Sequence, residues 1–148
     1  MANQNSRHVR DVMTPNPETV SERDSIHEVA RIMKDADTGI VPVVDGRKII
    51  GLVTDRDIVV RGVAEGKDIS TMKVNEIMTK SVRSVREDAT VNDALEMMSS
   101  AEVRRITVVN SNDELVGIVS LGDVSTQTNA DGKVGQTVES ISEAPPNN

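Results

Sequence analysis

Two short spacings hold the residues of this chain best suited to act on a ligand. Thr54-Asp55-Arg56-Asp57 and Ser120-Leu121-Gly122-Asp123 each place a hydroxyl three residues ahead of an aspartate. Each follows a glycine and two aliphatic residues, Gly51-Leu52-Val53 and Gly117-Ile118-Val119. A buried strand running into a helix fits the pattern, with the hydroxyl at the turn. One use of it is a capping box: the hydroxyl accepts from a free backbone N–H and the acid reaches back. The other is ligand binding. A helix start favours phosphate, and an aspartate in the first turn accepts hydrogen bonds from both hydroxyls of a ribose. The residues alone leave both uses open. Asp55 and Asp57 also form a Mg²⁺-type pair, a weak one, because hard cations want more oxygen ligands than two.

The elements that position these residues are themselves repeated. Val9-Arg10-Asp11-Val12-Met13-Thr14 returns as Val74-Asn75-Glu76-Ile77-Met78-Thr79, 65 residues later. The register holds through Val20/Val85, Met33/Met98 and Val43-Val44/Val108-Val109. One residue then enters a polar turn near 111–113, after which Gly51/Gly117 and Asp57/Asp123 align 66 apart. Two copies are too few for an open solenoid, so a closed pair is expected.

Each copy reads as a short lead strand, a helix, a hairpin and a second helix. Ser25 with Glu28, and Thr90 with Asp93, predict capped helix starts. The apolar stripes follow as Ile26, Val29, Ala30, Met33 and as Val91, Ala94, Leu95, Met98. The methionines read as core filling. β-Branched runs at 40–44 and 49–53 flank Asp45-Gly46-Arg47-Lys48, a hairpin signal, and runs at 106–109 and 115–119 flank the turn 110–114. The expected class is α+β, with helices layered on strands in the order β-α-β-β-α, twice over. The expected divisions are a flexible start (1–8), a first unit (9–66), a linker (67–73), a second unit (74–126) and a disordered polar tail (127–148). Thr126-Gln127-Thr128-Asn129 predicts a shorter last helix in the second copy.

Composition narrows the chemistry. The chain of 148 residues has a net charge of −7 and no Phe, Tyr or Trp. It therefore offers no aromatic platform for single-stranded nucleic acid and no overall attraction to nucleic acid or an anionic membrane. A planar ligand must be held by aliphatic side chains and backbone. The absence of Cys rules out disulfides, thiolate metal sites and a thiol nucleophile. His8 and His27 are too few for a His-rich metal site. With no apolar stretch of spanning length and a polar start, a soluble cytoplasmic protein is expected.

The paired units resemble cystathionine-β-synthase (CBS) domains, and the tandem resembles a stand-alone bacterial-type Bateman module. Val12-Met13-Thr14 with Ile77-Met78-Thr79, Val-Pro-Val-Val at 41–44 with Ile-Thr-Val-Val at 106–109, and the doubled Gly-to-Asp motif carry the likeness over 9–125. The resemblance implies two units packed as a pseudo-two-fold pair and a homodimer built as a four-domain disk. It also implies AMP, ADP, ATP or S-adenosylmethionine in the cleft, with any Mg²⁺ accompanying the nucleotide and no cofactor required. It further implies crossed sites. Thr54 and Asp57 would face Arg104, Arg105 and Ile106, with Met78 and Lys80 near the base. Ser120 and Asp123 would face Thr38, Gly39, Ile40 and Val41, with Met13 and Thr14 near the base. On this reading the arginines suit the Asp57 pocket to a phosphorylated nucleotide. The Asp123 pocket is expected to be weaker or to take an uncharged adenosyl group.

Three functions from different classes follow. The leading one is a non-catalytic sensor that signals through its shape or through a separate effector protein. A ligand-free oligomeric scaffold is the alternative, since helix capping alone would retain the hydroxyl and the acid. A nucleotide-processing enzyme finds no nucleophile–base pair, phosphate loop or metal-ligand cluster in the sequence.

Overall fold

The structure, a computed structural model, describes residues 7–128, so most of the expected flexible start and polar tail lies outside the described residues. In chain order the elements are β1 (Thr14–Pro15), α1 (Ile26–Ala36), β2 (Ile40–Asp45), β3 (Lys48–Thr54), α2 (Asp55–Asp57), β4 (Ser84–Arg86), α3 (Val91–Ala101), β5 (Arg105–Val109), β6 (Leu115–Ser120) and α4 (Leu121–Thr128). Helix and strand are mixed in each copy, as an α+β reading requires. The chain forms two compact units. One is Pro17–Val82; the other joins the residues up to Asn16 to those from Arg83 onward.

In the unit Pro17–Val82, α1 starts where Ser25 Oγ accepts from the Glu28 N–H at 3.1 Å. The predicted reciprocal half of that box does not form. The Glu28 carboxylate instead takes Arg31, one turn on, and this hydrogen bond holds its carboxyl below the usual range. The apolar stripe also differs from expectation: Ile26, Val29 and Ile32 are buried, and Ala30 is exposed. Turning Ile32 inward removes more apolar surface from water than Ala30 could. The β2–β3 hairpin turns at Gly46-Arg47, where Gly46 adopts φ +64°, a conformation that suits glycine. Its register shifts by one residue after Val43, and Asp45 pairs with Lys48, so each strand runs one residue further into the turn than predicted, and β3 also extends to Thr54. Val20 bridges Val43 in parallel, and Leu52 bridges Thr79 antiparallel. Beyond α2 the chain continues as a wider π-helical stretch, Ile58–Val63.

The second unit repeats this plan with more strand pairing. Its sheet runs β1-β6-β5-β4, with β4 parallel to β5 and the other neighbours antiparallel. Val85 opposite Val108 matches Val20 opposite Val43. The hairpin register shifts at the same place, after Val108. Here the Thr90–Asp93 box is complete, and the predicted stripe Val91, Ala94, Leu95, Met98 is buried throughout. The end of α4 coincides with the limit of the described residues, so the predicted early stop lies outside them.

The compact units do not follow the order of the repeat. The lead of the first copy packs in the core of the second: Val9 and Val12 join Leu95, Met98 and Val119. The lead of the second copy packs in the core of the first: Val74, Ile77 and Met78 join Ile26, Val29 and Val53. The hydrogen bonds are exchanged residue for residue. Val9 N–H donates to the Ala89 carbonyl and Arg10 to Glu87, while Val74 donates to Asp24 and Asn75 to Glu22. Among the described residues no helix is long and apolar enough to cross a membrane.

Candidate functional site

Both doubled motifs end a strand and open a helix, as their sequence predicts. In the first, Thr54 N–H donates to Asp57 Oδ2 at 2.9 Å, and Asp57 N–H donates to Thr54 Oγ1 at 3.1 Å. In the second, Ser120 N–H donates to Asp123 Oδ2 at 3.0 Å, and Asp123 N–H donates to Ser120 Oγ at 3.0 Å. Both capping boxes are therefore built. Each commits its carboxylate Oδ2 to the helix cap.

The glycine of the motif has a steric reason. A Cβ on Gly51 would come within 2.9 Å of the Thr79 carbonyl and 3.1 Å of the Met78 sulfur. A Cβ on Gly117 would meet Thr14 O at 2.9 Å and Met13 Sδ at 2.5 Å. The strand that presents the acid is thus pressed directly by the Met-Thr pair of the other copy's lead.

That contact brings a residue to Asp57 that the motif alone does not contain. Thr79 Oγ1 donates toward both Asp57 oxygens at 3.4 Å. Arg61 completes the group: its Nε lies 3.8 Å from Asp57 Oδ1, and its Nη1 donates to Ile77 O at 3.1 Å, Met78 O at 3.4 Å and Thr79 Oγ1 at 3.3 Å. Asp57 itself is 8% exposed. Arg61 went unnoticed in the sequence, although an acid four residues ahead of an arginine on a helix is a recognisable pair. In the second copy the matching position is Gln127. Asp123 is half-buried.

The remaining predicted residues fall into the two units as follows. In Pro17–Val82, Thr38 turns back on Ile40, whose N–H donates to its Oγ1 at 3.3 Å. Gly39 O accepts from Asp55 N–H at 3.0 Å, and Thr54 is the cross-strand partner of Ile40. Ile40 and Val41 are buried in the core, Met78 is buried against Gly51, and Lys80 is exposed. In the other unit Arg104 O accepts from Leu121 N–H at 2.8 Å, the counterpart of the Gly39–Asp55 bond. Arg105 lies opposite Ser120, Ile106 is buried, Arg104 is exposed, and Thr14 is exposed opposite Ile118. The structure therefore places Thr38, Gly39, Ile40 and Val41 with Thr54 and Asp57, and Arg104, Arg105 and Ile106 with Ser120 and Asp123, each set within one unit. Among the described residues no group of three or more His, Asp or Glu side chains is placed to hold a metal ion.

The chain has known relatives. A family model described as the CBS domain matches residues 9–63 and again 74–127. The YlbB protein of Bacillus subtilis (strain 168) is 41% identical over 137 residues, which cover 91% of each chain. The CBS domain pair of protein MJ0100, solved with 5'-methylthioadenosine and S-adenosyl-L-methionine, is similar with a TM-score of 0.71 and 31% identity, over 80% of this chain and 93% of that one. CBSX2, solved in complex with AMP, gives a TM-score of 0.70 and 28% identity, over 81% and 94% of the two chains.

Proposed function

Because the chain belongs to the CBS-domain family, as a tandem pair of such domains, we propose that it is a non-catalytic regulatory module for an adenosine-type ligand. The ligand class is AMP, ADP, ATP or S-adenosylmethionine, with any Mg²⁺ arriving on the nucleotide. The observation that carries this reading is the doubled acid. Asp57 and Asp123 sit at matching positions, each holding its own helix cap through Oδ2 in the first turn, where an acid suits a ribose. The AMP and S-adenosylmethionine complexes of CBSX2 and MJ0100 support the ligand class. Occupancy then alters shape or affinity for a separate effector.

A specific observation also favours self-association. Val59, Val60 and Val63 are 56%, 41% and 57% exposed on the single π-helical stretch after α2. Three valines left open on one short helical segment suit burial against a second copy, as a homodimer.

The test is direct because the chain contains no Trp, Tyr or Phe. Adenine carried through a gentle purification would dominate its near-ultraviolet spectrum. The reading expects that band, or else a thermal shift with AMP, ATP or S-adenosylmethionine. A sample showing neither supports the ligand-free scaffold, and turnover of added nucleotide would overturn the non-catalytic assignment.

A further inference from the structure

We propose that Arg61 is the specificity-determining residue that lets the Asp57 site accept an anionic ligand, by standing against the Asp57 carboxylate. The inference rests on the adenosine-binding reading and adds the charge class of the ligand at one site.

The argument begins with the charges of the turn. Asp55, Arg56 and Asp57 sum to −1, and an acid placed to hold a ribose also repels the phosphate of the same nucleotide. Arg61 brings that sum to zero, with its Nε 3.8 Å from Asp57 Oδ1. It is not a loose surface arginine. Nη1 is anchored on Ile77 O, Met78 O and Thr79 Oγ1, and Thr79 in turn donates to Asp57. A chain of donors therefore runs from the guanidinium through the hydroxyl to the carboxylate, fixing both charges in one geometry. The Arg61 side chain is still 50% exposed, so the positive group that compensates Asp57 also faces whatever approaches it. All of these residues belong to the unit Pro17–Val82.

The second copy supplies the substitution. Its matching position is Gln127, and its turn reads Ser-Leu-Gly-Asp, with a single acid and no base. Arg61→Gln therefore gives the first turn the net charge of the second. Asp57, Thr54 and the glycine stay in place.

Calorimetry on the full chain carrying Asp123→Ala, which isolates the first site, tests the proposal with AMP and S-adenosylmethionine as separate titrants. AMP is an anion, and the adenosyl group of S-adenosylmethionine carries a sulfonium cation. Arg61→Gln is expected to weaken AMP by about three- to fivefold, the range of a half-exposed ion pair. S-adenosylmethionine affinity should hold or rise, and Arg61→Lys should recover most of the AMP affinity. Equal weakening of both ligands would show that Arg61 only braces the fold, and unchanged AMP affinity would also overturn the proposal. If the parent chain bound neither ligand, the adenosine-binding reading itself would fall, an outcome separate from the other two.

Discussion

The carbonyl oxygen of Thr79 lies 2.9 Å from the point where a Cβ on Gly51 would sit, and Thr14 stands in the same relation to Gly117. In each pair the oxygen belongs to main chain, fixed by its pairing with the strand that carries the glycine, so it cannot move aside as a side chain would. The glycine that opens the doubled motif is therefore a packing requirement set from 28 residues away in the first copy and 103 in the second.

Gly51→Ala and Gly117→Ala should each lower unfolding free energy by about 1–3 kcal/mol, the usual cost of overpacking. Denaturant titration measures it. A variant as stable as the parent would mean that the lead segments do not press there.

The capped acids make a prediction with two readouts. Thr54→Ala and Ser120→Ala each remove one helix cap and should cost about 1 kcal/mol of stability. Asp57→Ala should abolish AMP binding at its site and reduce total AMP uptake more than Asp123→Ala does. Equal losses in calorimetry would end the proposed inequality between the sites.

Much of this was legible because it is written locally and twice. The offset of Val9 and Val74 predicts two similar folds, Asp45-Gly46 predicts the hairpin, and Thr90 with Asp93 predicts a cap, all within a few residues of chain. What escaped the sequence depends on partners far along the chain or on close competition between neighbours. Glu28 leaves the Ser25 cap because Arg31 offers it an ion pair, and Ile32 displaces Ala30 from the core because it has more surface to bury. Thr79 donates to Asp57 only because the lead segments are exchanged. That exchange also supplies the carbonyls of Ile77 and Met78 that anchor Arg61, whose pairing with Asp57 is itself a local spacing.

The two long helices end on acids in left-handed backbone, Asp37 at φ +52° and Glu102 at φ +58°. Glycine relieves a cost of roughly 1–2 kcal/mol there. It loses roughly 0.5–1 kcal/mol of that to its freer unfolded chain. The double variant Asp37→Gly, Glu102→Gly is expected to melt above the parent by calorimetry, and a lower melting temperature would show that the acid side chains stabilise these caps.

Self-association is tested by Val63→Asp. Val63 is 57% exposed and lies outside both cores, so the charge should leave folding intact. Light scattering should report a dimer for the parent and a monomer for the variant. A variant that keeps the parent's mass would place the contact elsewhere.

The reciprocal exchange of residues 9–14 and 74–79 bears on how such a chain could arise. A solitary copy would have a lead that packs elsewhere than on its own helix and hairpin, and it could complete its fold by exchanging leads with a neighbouring molecule. Gene duplication would turn that exchange into an intramolecular bond and free each half to differ, as Arg61 differs from Gln127. The debt between the halves remains: a mutation in either lead is felt first in the fold of the other copy.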